Sequence, residues 1–253
     1  MLPHLMVAPN GARRGKADHP ALPITLDEIL TEARACREAG ADGLHLHLRD
    51  AQGGHLLDAG AYREALTAFD AALPGFAVQI TTEAAGRYAP DHQRRVALES
   101  GARSVSVSIA EMTAGEAAQT APEFYAACDA AGITVQHILY DAGELDGLAG
   151  VLGEARFRDP ALQLICVLGR YTGAAGSDPA GIAQFTEAFA RHGIQPDWAL
   201  CAFGPQETAC LRAARAAGGK CRVGFENSLW NADGSLAGSN AERVREVRAR
   251  AFA

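Results

Sequence analysis

The 253-residue sequence predicts one α/β domain, a (β/α)8 barrel of the TIM type spanning residues 1–253. Three observations predict it. Eight short apolar runs alternate with eight helical stretches from one end of the chain to the other. At five junctions (Ala39-Gly40, Ser100-Gly101, Ala131-Gly132, His192-Gly193 and Gly218-Gly219) a helical pattern closes on glycine and an apolar run follows. Glycine just past a helix supplies a left-handed cap, and the run after it reads as a strand buried on both faces. Finally, no Pro/Ser-rich linker or composition break divides the chain, and its length suits one barrel. A doubly wound open sheet is the competitor, but no Gly-x-Gly-x-x-Gly follows an early strand.

The expected strands are Leu5–Ala8, Gly43–Leu48, Ala77–Thr81, Ser104–Ile109, Ile133–Tyr140, Leu162–Leu168, Trp198–Phe203 and Cys221–Glu226. Helices are expected near 26–39, 58–72, 91–99, 121–131, 143–153, 178–191, 205–217 and 239–252. The first helix opens on a capping box, Thr25-x-x-Glu28, after Pro23. The second strand alternates Leu with polar residues, so His45, His47 and Arg49 share one face and Leu44, Leu46 and Leu48 the other. Gln79, Thr81 and Glu83 share a face of the third strand. Ser104, Ser106 and Ser108 share a face of the fourth, and Arg222, Gly224 and Glu226 a face of the eighth. The longest irregular segments, Pro9–Leu22, Gly169–Ser177 and Ser228–Gly238, all follow the carboxyl end of a strand, where barrel enzymes build their sites.

Composition narrows the function class. The chain is 48% hydrophobic and 21% charged, with a net charge of −7. No Lys/Arg stripe marks a nucleic-acid partner, and no apolar run approaches the roughly 18 residues of a membrane span. The opening Met1-Leu2-Pro3-His4 lacks the basic-then-apolar layout of a signal peptide. Six scattered cysteines without a CxxC pair fit reduced core thiols rather than a disulfide framework. A cytoplasmic protein acting on small molecules is expected.

The polar inner-face residues carry the chemistry. Two imidazoles two residues apart on a strand are a natural metal pair, because neutral His nitrogens suit zinc and its neighbours. A carboxylate at the end of the last strand, Glu226, lies beside the first strand and within reach of a metal near the second. Two His and one Glu leave open positions for water or substrate. Arg222 and Glu226 could equally pair only with each other. The three serines line a polar pocket or satisfy one another and water. No Gly-x-Ser-x-Gly elbow suggests a serine nucleophile. His55, His92 and His192 read as solvated, and His137 as a core histidine.

With those residues in view, the chain resembles the β-keto acid cleavage enzymes. The resemblance rests on Asn10-Gly11-Ala12-Arg13, Lys16-Ala17-Asp18-His19-Pro20 and Leu22-Pro23-Ile24-Thr25, then on Ala39-Gly40-Ala41 and His45-Leu46-His47-Leu48-Arg49-Asp50. It continues in Val78-Gln79-Ile80-Thr81-Thr82 and ends in Arg222-Val223-Gly224-Phe225-Glu226-Asn227. It implies a TIM barrel holding a divalent metal, usually zinc, on His45, His47 and Glu226. It also implies condensation of a β-keto acid with acetyl-CoA, giving acetoacetate and a new CoA thioester. Arg222 and Thr81 match a catalytic Arg and a hydroxyl, Ser106 and Ser108 fall on a substrate-binding Thr and Asn, and Asn10, in the matching opening, is expected to bind substrate as well. A homo-oligomer is the implied assembly.

Three departures stand out. The acidic residue that follows the ligand Glu in studied members, and serves there as base, is Asn227 here. An amide cannot take that proton. Glu83 is the replacement expected, with Asp141 second. Arg13 stands where members handling cationic keto acids carry Glu, so a neutral or anionic keto acid is expected. Arg170, after the sixth strand, would meet CoA phosphate or solvent. The alternatives are a zinc-dependent hydrolase or lyase on the same barrel, or a family member without turnover.

Overall fold

The computed structural model describes residues 1–169 and 176–252. Arg170 lies outside the described residues. Among those described, eight parallel strands close a barrel: β1 (Leu5–Val7), β2 (Gly43–Leu46), β5 (Ala77–Thr81), β6 (Ser104–Ser108), β7 (Thr134–Leu139), β8 (Gln163–Leu168), β9 (Asp197–Ala202) and β10 (Lys220–Val223). Around the barrel β1 joins β10 on one side and β2 on the other, so first, second and last strands are neighbours. That adjacency brings the ends of β2 and β10 to one place.

The barrel packs against α1 (Leu26–Glu38), α2 (Ala59–Ala72), α3 (Pro90–Glu99), a single turn α4 (Ile109–Met112), α5 (Ala121–Ala130), α6 (Glu144–Phe157), α7 (Ile182–His192), α8 (Glu207–Ala216) and α9 (Asn240–Ala251). Outward strand residues such as Leu44, Leu46, Val105, Val107 and Leu200 join helix residues such as Ile29, Phe69 and Leu211 in one buried cluster. At roughly 1.5–3 kcal/mol per large side chain, this layer is the main stabilising term. The capping box of α1 is formed, with Thr25 Oγ1 accepting from Glu28 N–H at 3.3 Å and Glu28 Oε2 accepting from Thr25 N–H at 3.0 Å. The five helix-closing glycines all take positive φ, between 63° and 102°. The six cysteines are buried free thiols.

Two strands stop short of expectation. The second ends at Leu46; Leu48–Arg49 (β3) then leaves the barrel and pairs antiparallel with His55–Leu56 (β4). Arg49 accordingly does not line up beside the two His. Its guanidinium donates to the carbonyls of Gly11 (2.8 Å), Asn10 (3.2 Å), Arg14 (2.8 Å) and Gly53 (2.8 Å), pinning the 10–14 loop. The last strand ends at Val223, and residues 224–227 form a turn. Gly224 sits there at φ 140°, and a Cβ would lie 2.4 Å from the Ala8 carbonyl oxygen. Strand alternation therefore does not place Glu226; this glycine-dependent turn does.

Candidate metal centre and active site

The barrel interior is divided. One half is apolar, made by Leu2, Ile165, Val167, Ala199, Cys201 and Phe203 with Ile138 against them. The other half is polar and holds His45, Gln79, Ser106, Gln136 and Arg222, all buried. At its carboxyl end the barrel opens into a cavity of about 350 Å³, bordered by both halves.

His45, His47 and Glu226 meet on the polar side, with ligand atoms within 4.8 Å of one another and all three residues buried. His45 Nε2 lies 3.1 Å from His47 Nε2. Glu226 Oε2 lies 3.4 Å from His47 Nε2 and 3.9 Å from His45 Nε2. This oxygen is buried and accepts no hydrogen bond. Three electron-pair donors converging in a buried space fit a divalent cation, and imidazole with carboxylate suits zinc.

The tautomer of His45 is set from below. His45 Nδ1 faces Gln79 Oε1 at 2.9 Å, Gln79 Nε2 donates to Gln136 Oε1 at 2.9 Å, and Gln136 Nε2 donates to the Leu164 carbonyl at 3.2 Å. That last group only accepts, so it fixes the polarity of the whole chain. His45 carries its proton on Nδ1 and turns a bare Nε2 toward Glu226. Burial first, and Arg222 second, hold His45 well below the ordinary imidazole range. It stays neutral, as a ligand must.

Arg222 donates from Nη2 to Glu226 Oε1 at 3.0 Å and to Cys201 Sγ at 3.3 Å. The pairing expected from spacing is thus present, yet it occupies one carboxylate oxygen and leaves the other to the imidazoles. Burial pushes the Glu226 carboxyl up, but Arg222, His47 and His45 outweigh it and hold it below the usual range.

Thr81, Glu83, Ser108, Arg13 and Arg222 line the cavity with the three metal-site residues. Thr81 Oγ1 accepts from Glu83 N–H at 2.9 Å, fixing the backbone that presents the Glu83 carboxylate. Burial raises the Glu83 carboxyl above its ordinary range, with His47 opposing. Arg13 Nε lies 3.6 Å from Glu83 Oε1 at the cavity's lip. Ser108 caps α4, its Oγ accepting from Glu111 N–H at 3.4 Å.

The remaining expected residues stand back from the cavity. Ser106 is fully buried, its hydroxyl without a partner. Asn10 Nδ2 donates to the His47 carbonyl at 3.2 Å, which makes it a support of the metal site. Asn227 is buried with both amide atoms unpartnered, while its carbonyl accepts from Gly204 N–H at 3.2 Å. Asp141 is exposed and caps Gly143 N–H at 2.7 Å.

The sequence reading missed several participants. His55, expected to be solvated, is buried; its Nε2 meets the Glu83 carbonyl at 2.8 Å and its ring lies 5.5 Å from that of His47. The β3–β4 ribbon brings it there, and that ribbon has no strong local signal. Glu111, Tyr140 and Glu144 also line the cavity, together with the apolar Ile138, Val167 and Phe203. Gln79 shared an alternating face with Thr81, the one signal that could have singled it out.

Comparisons with known proteins place the chain among relatives of known activity. The chain is 25% identical over 243 residues to the 3-keto-5-aminohexanoate cleavage enzyme of Fusobacterium nucleatum, covering 94% of this chain and 86% of that one. It is 26% identical over 272 residues to the 3,5-dioxohexanoate:acetyl-CoA acetone transferase of Paraburkholderia graminis, covering 95% and 87%. It is 25% identical over 268 residues to the 3-oxoadipate:acetyl-CoA acetyltransferase of Cupriavidus necator, covering 97% and 87%. The solved structure of ObcA with oxaloacetate shares the fold, with a TM-score of 0.70 at 18% identity; 91% of this chain matches 63% of that longer one. The model of the beta-keto acid cleavage enzyme family matches residues 4–252, nearly the whole chain with its His-x-His strand and its Glu226 turn. The chain belongs to the beta-keto acid cleavage enzyme family.

Proposed function

We propose that this protein condenses a β-keto acid with acetyl-CoA and releases acetoacetate and a new CoA thioester, using zinc or another divalent cation held by His45, His47 and Glu226. The observation that carries the reading is the buried Glu226 Oε2, which accepts no hydrogen bond and faces two imidazole nitrogens, in a chain that the family matches over residues 4–252. The names of the relatives from Paraburkholderia and Cupriavidus support acetyl-CoA as co-substrate. A bound divalent cation would draw electrons from the keto acid's oxygens and so acidify its α C–H.

The chain's own groups do the rest. Glu83 takes the α-proton: it borders the cavity, is held by Thr81, and burial raises its carboxyl above the ordinary range, making it a stronger base. The carbanion attacks the thioester carbonyl of acetyl-CoA and expels CoA thiolate. The thiolate then adds to the original β-keto carbon and breaks its bond to the α carbon, and the carbanion so released takes the proton back from Glu83. Acetoacetate leaves, and the rest of the keto acid leaves as thioester. Arg222 stabilises negative charge beside Glu226, and Ser108 offers a hydroxyl to substrate. Asn227, an amide set back from the cavity, takes no proton; Ser106 and Asn10 act by shaping the site from behind it.

Arg13 at the lip favours a neutral or anionic keto acid over an amino-substituted one. A β-ketodicarboxylate should be turned over faster than 3-keto-5-aminohexanoate; a preference for the amine refutes this assignment. A hydrolase or lyase on the same scaffold is separated by dependence on acetyl-CoA. Six buried thiols support a cytoplasmic setting, and family membership supports a homo-oligomer. No helix among the described residues is long and apolar enough to cross a membrane.

A further inference from the structure

We infer that Asn240, at the start of α9 and outside the cavity, is a positioning residue that sets Glu226 against His47. The inference rests on the metal reading of the site.

Glu226 hangs from a turn whose three consecutive N–H groups are all held from elsewhere in the fold. Gly224 N–H donates to Glu207 Oε1 at 3.2 Å, Phe225 N–H to Asn240 Oδ1 at 2.8 Å, and Glu226 N–H to the Ala8 carbonyl at 3.1 Å. Of these acceptors, Asn240 also reaches the other side of the site. Its Nδ2 donates to the Pro9 carbonyl at 3.1 Å, and the next residue, Asn10, donates from its own amide to the His47 carbonyl at 3.2 Å. One side chain therefore grips the backbone beside Glu226 and the backbone beside the support of His47.

The grip is close and dry. Asn240 is fully buried, and a Cβ on Gly224 would lie 2.9 Å from its Oδ1. Carboxamide chemistry is required, because one end must accept from an N–H and the other donate to a carbonyl. A carboxylate supplies only acceptors, and an aliphatic chain supplies neither. Residues behind metal ligands that fix their orientation are typically worth about 10–100-fold in metal affinity.

The test is zinc affinity, measured by competition with a chelating dye on protein shown to be folded by circular dichroism. Asn240→Ala should weaken zinc binding about 10–100-fold. Placed on Glu226→Gln, it should weaken binding less than about twofold further, because the group it positions is already lost. Unchanged affinity in Asn240→Ala overturns the proposal. So does an undiminished effect on the Glu226→Gln background, which would mark a merely structural role. Should Asn240→Ala not fold, Asn240→Asp carries the test. It keeps an acceptor for Phe225 but loses the donor to Pro9, and zinc affinity equal to wild type in it overturns the proposal. Wild-type protein that binds no zinc refutes the metal reading itself, and the role of Asn240 with it.

Discussion

Glu83 is where the account of proton transfer rests on a single side chain. Glu83→Gln should lower kcat by about 10²–10⁴-fold while leaving zinc stoichiometry unchanged. Because burial raises the Glu83 carboxyl, wild-type activity should fall on acidification at a pH above the ordinary Glu range, and the variant's residual rate should lose that limb. Unaltered turnover in Glu83→Gln would remove Glu83 from the mechanism. His137 gives a second residue-level prediction, about stability. It is buried against the Tyr125 ring at 5.0 Å, and burial lowers its pKa to about 3. The unfolded chain takes up a proton near pH 6.5 and the folded one does not, so stability is complete above that value and lost as pH falls toward 3. Between pH 7 and 5 this residue should cost about 2 kcal/mol, and His137→Leu should flatten that part of the curve in urea denaturation.

The turn after β10 decides the site at the scale of an element. Gly224→Ala forces a Cβ against the Ala8 carbonyl at a φ that side chains rarely adopt. The change should cost at least about 1–3 kcal/mol and weaken zinc binding together. Equilibrium unfolding and dye competition on the same preparation check both. This element also shows where the sequence was legible and where it was not. Alternation of Leu with His put His45 and His47 on one inner face, and the apolar run with its glycine placed the last strand beside the first. The premature strand ends were invisible: β2 stops because Leu48–Arg49 pairs with His55–Leu56, and β10 because Gly224 turns under Asn240 and Glu207. The side chains of His55, Gln79 and Asn240 hydrogen-bond to partners 15 to 231 residues away, which no local spacing encodes.

For the whole molecule, the barrel was legible because each βα unit repeats the same local signals, and closing the sheet sets the last strand beside the first. Closure is also what joins a carboxylate near one end of the chain to two imidazoles near the other. A cation bound across that seam should stabilise the folded state by mass action, about 2.7 kcal/mol at a hundredfold excess over Kd. Chelation should then lower Tm by roughly 5–10 °C in a barrel of this size. Acetoacetate formation from a panel of β-keto acids, with zinc and acetyl-CoA supplied or withheld independently, tests the proposed reaction most directly. Acetoacetate and a new acyl-CoA should form only when both are present. Cleavage of a keto acid without acetyl-CoA, or acetoacetate formation that survives removal of the metal, would contradict that reaction.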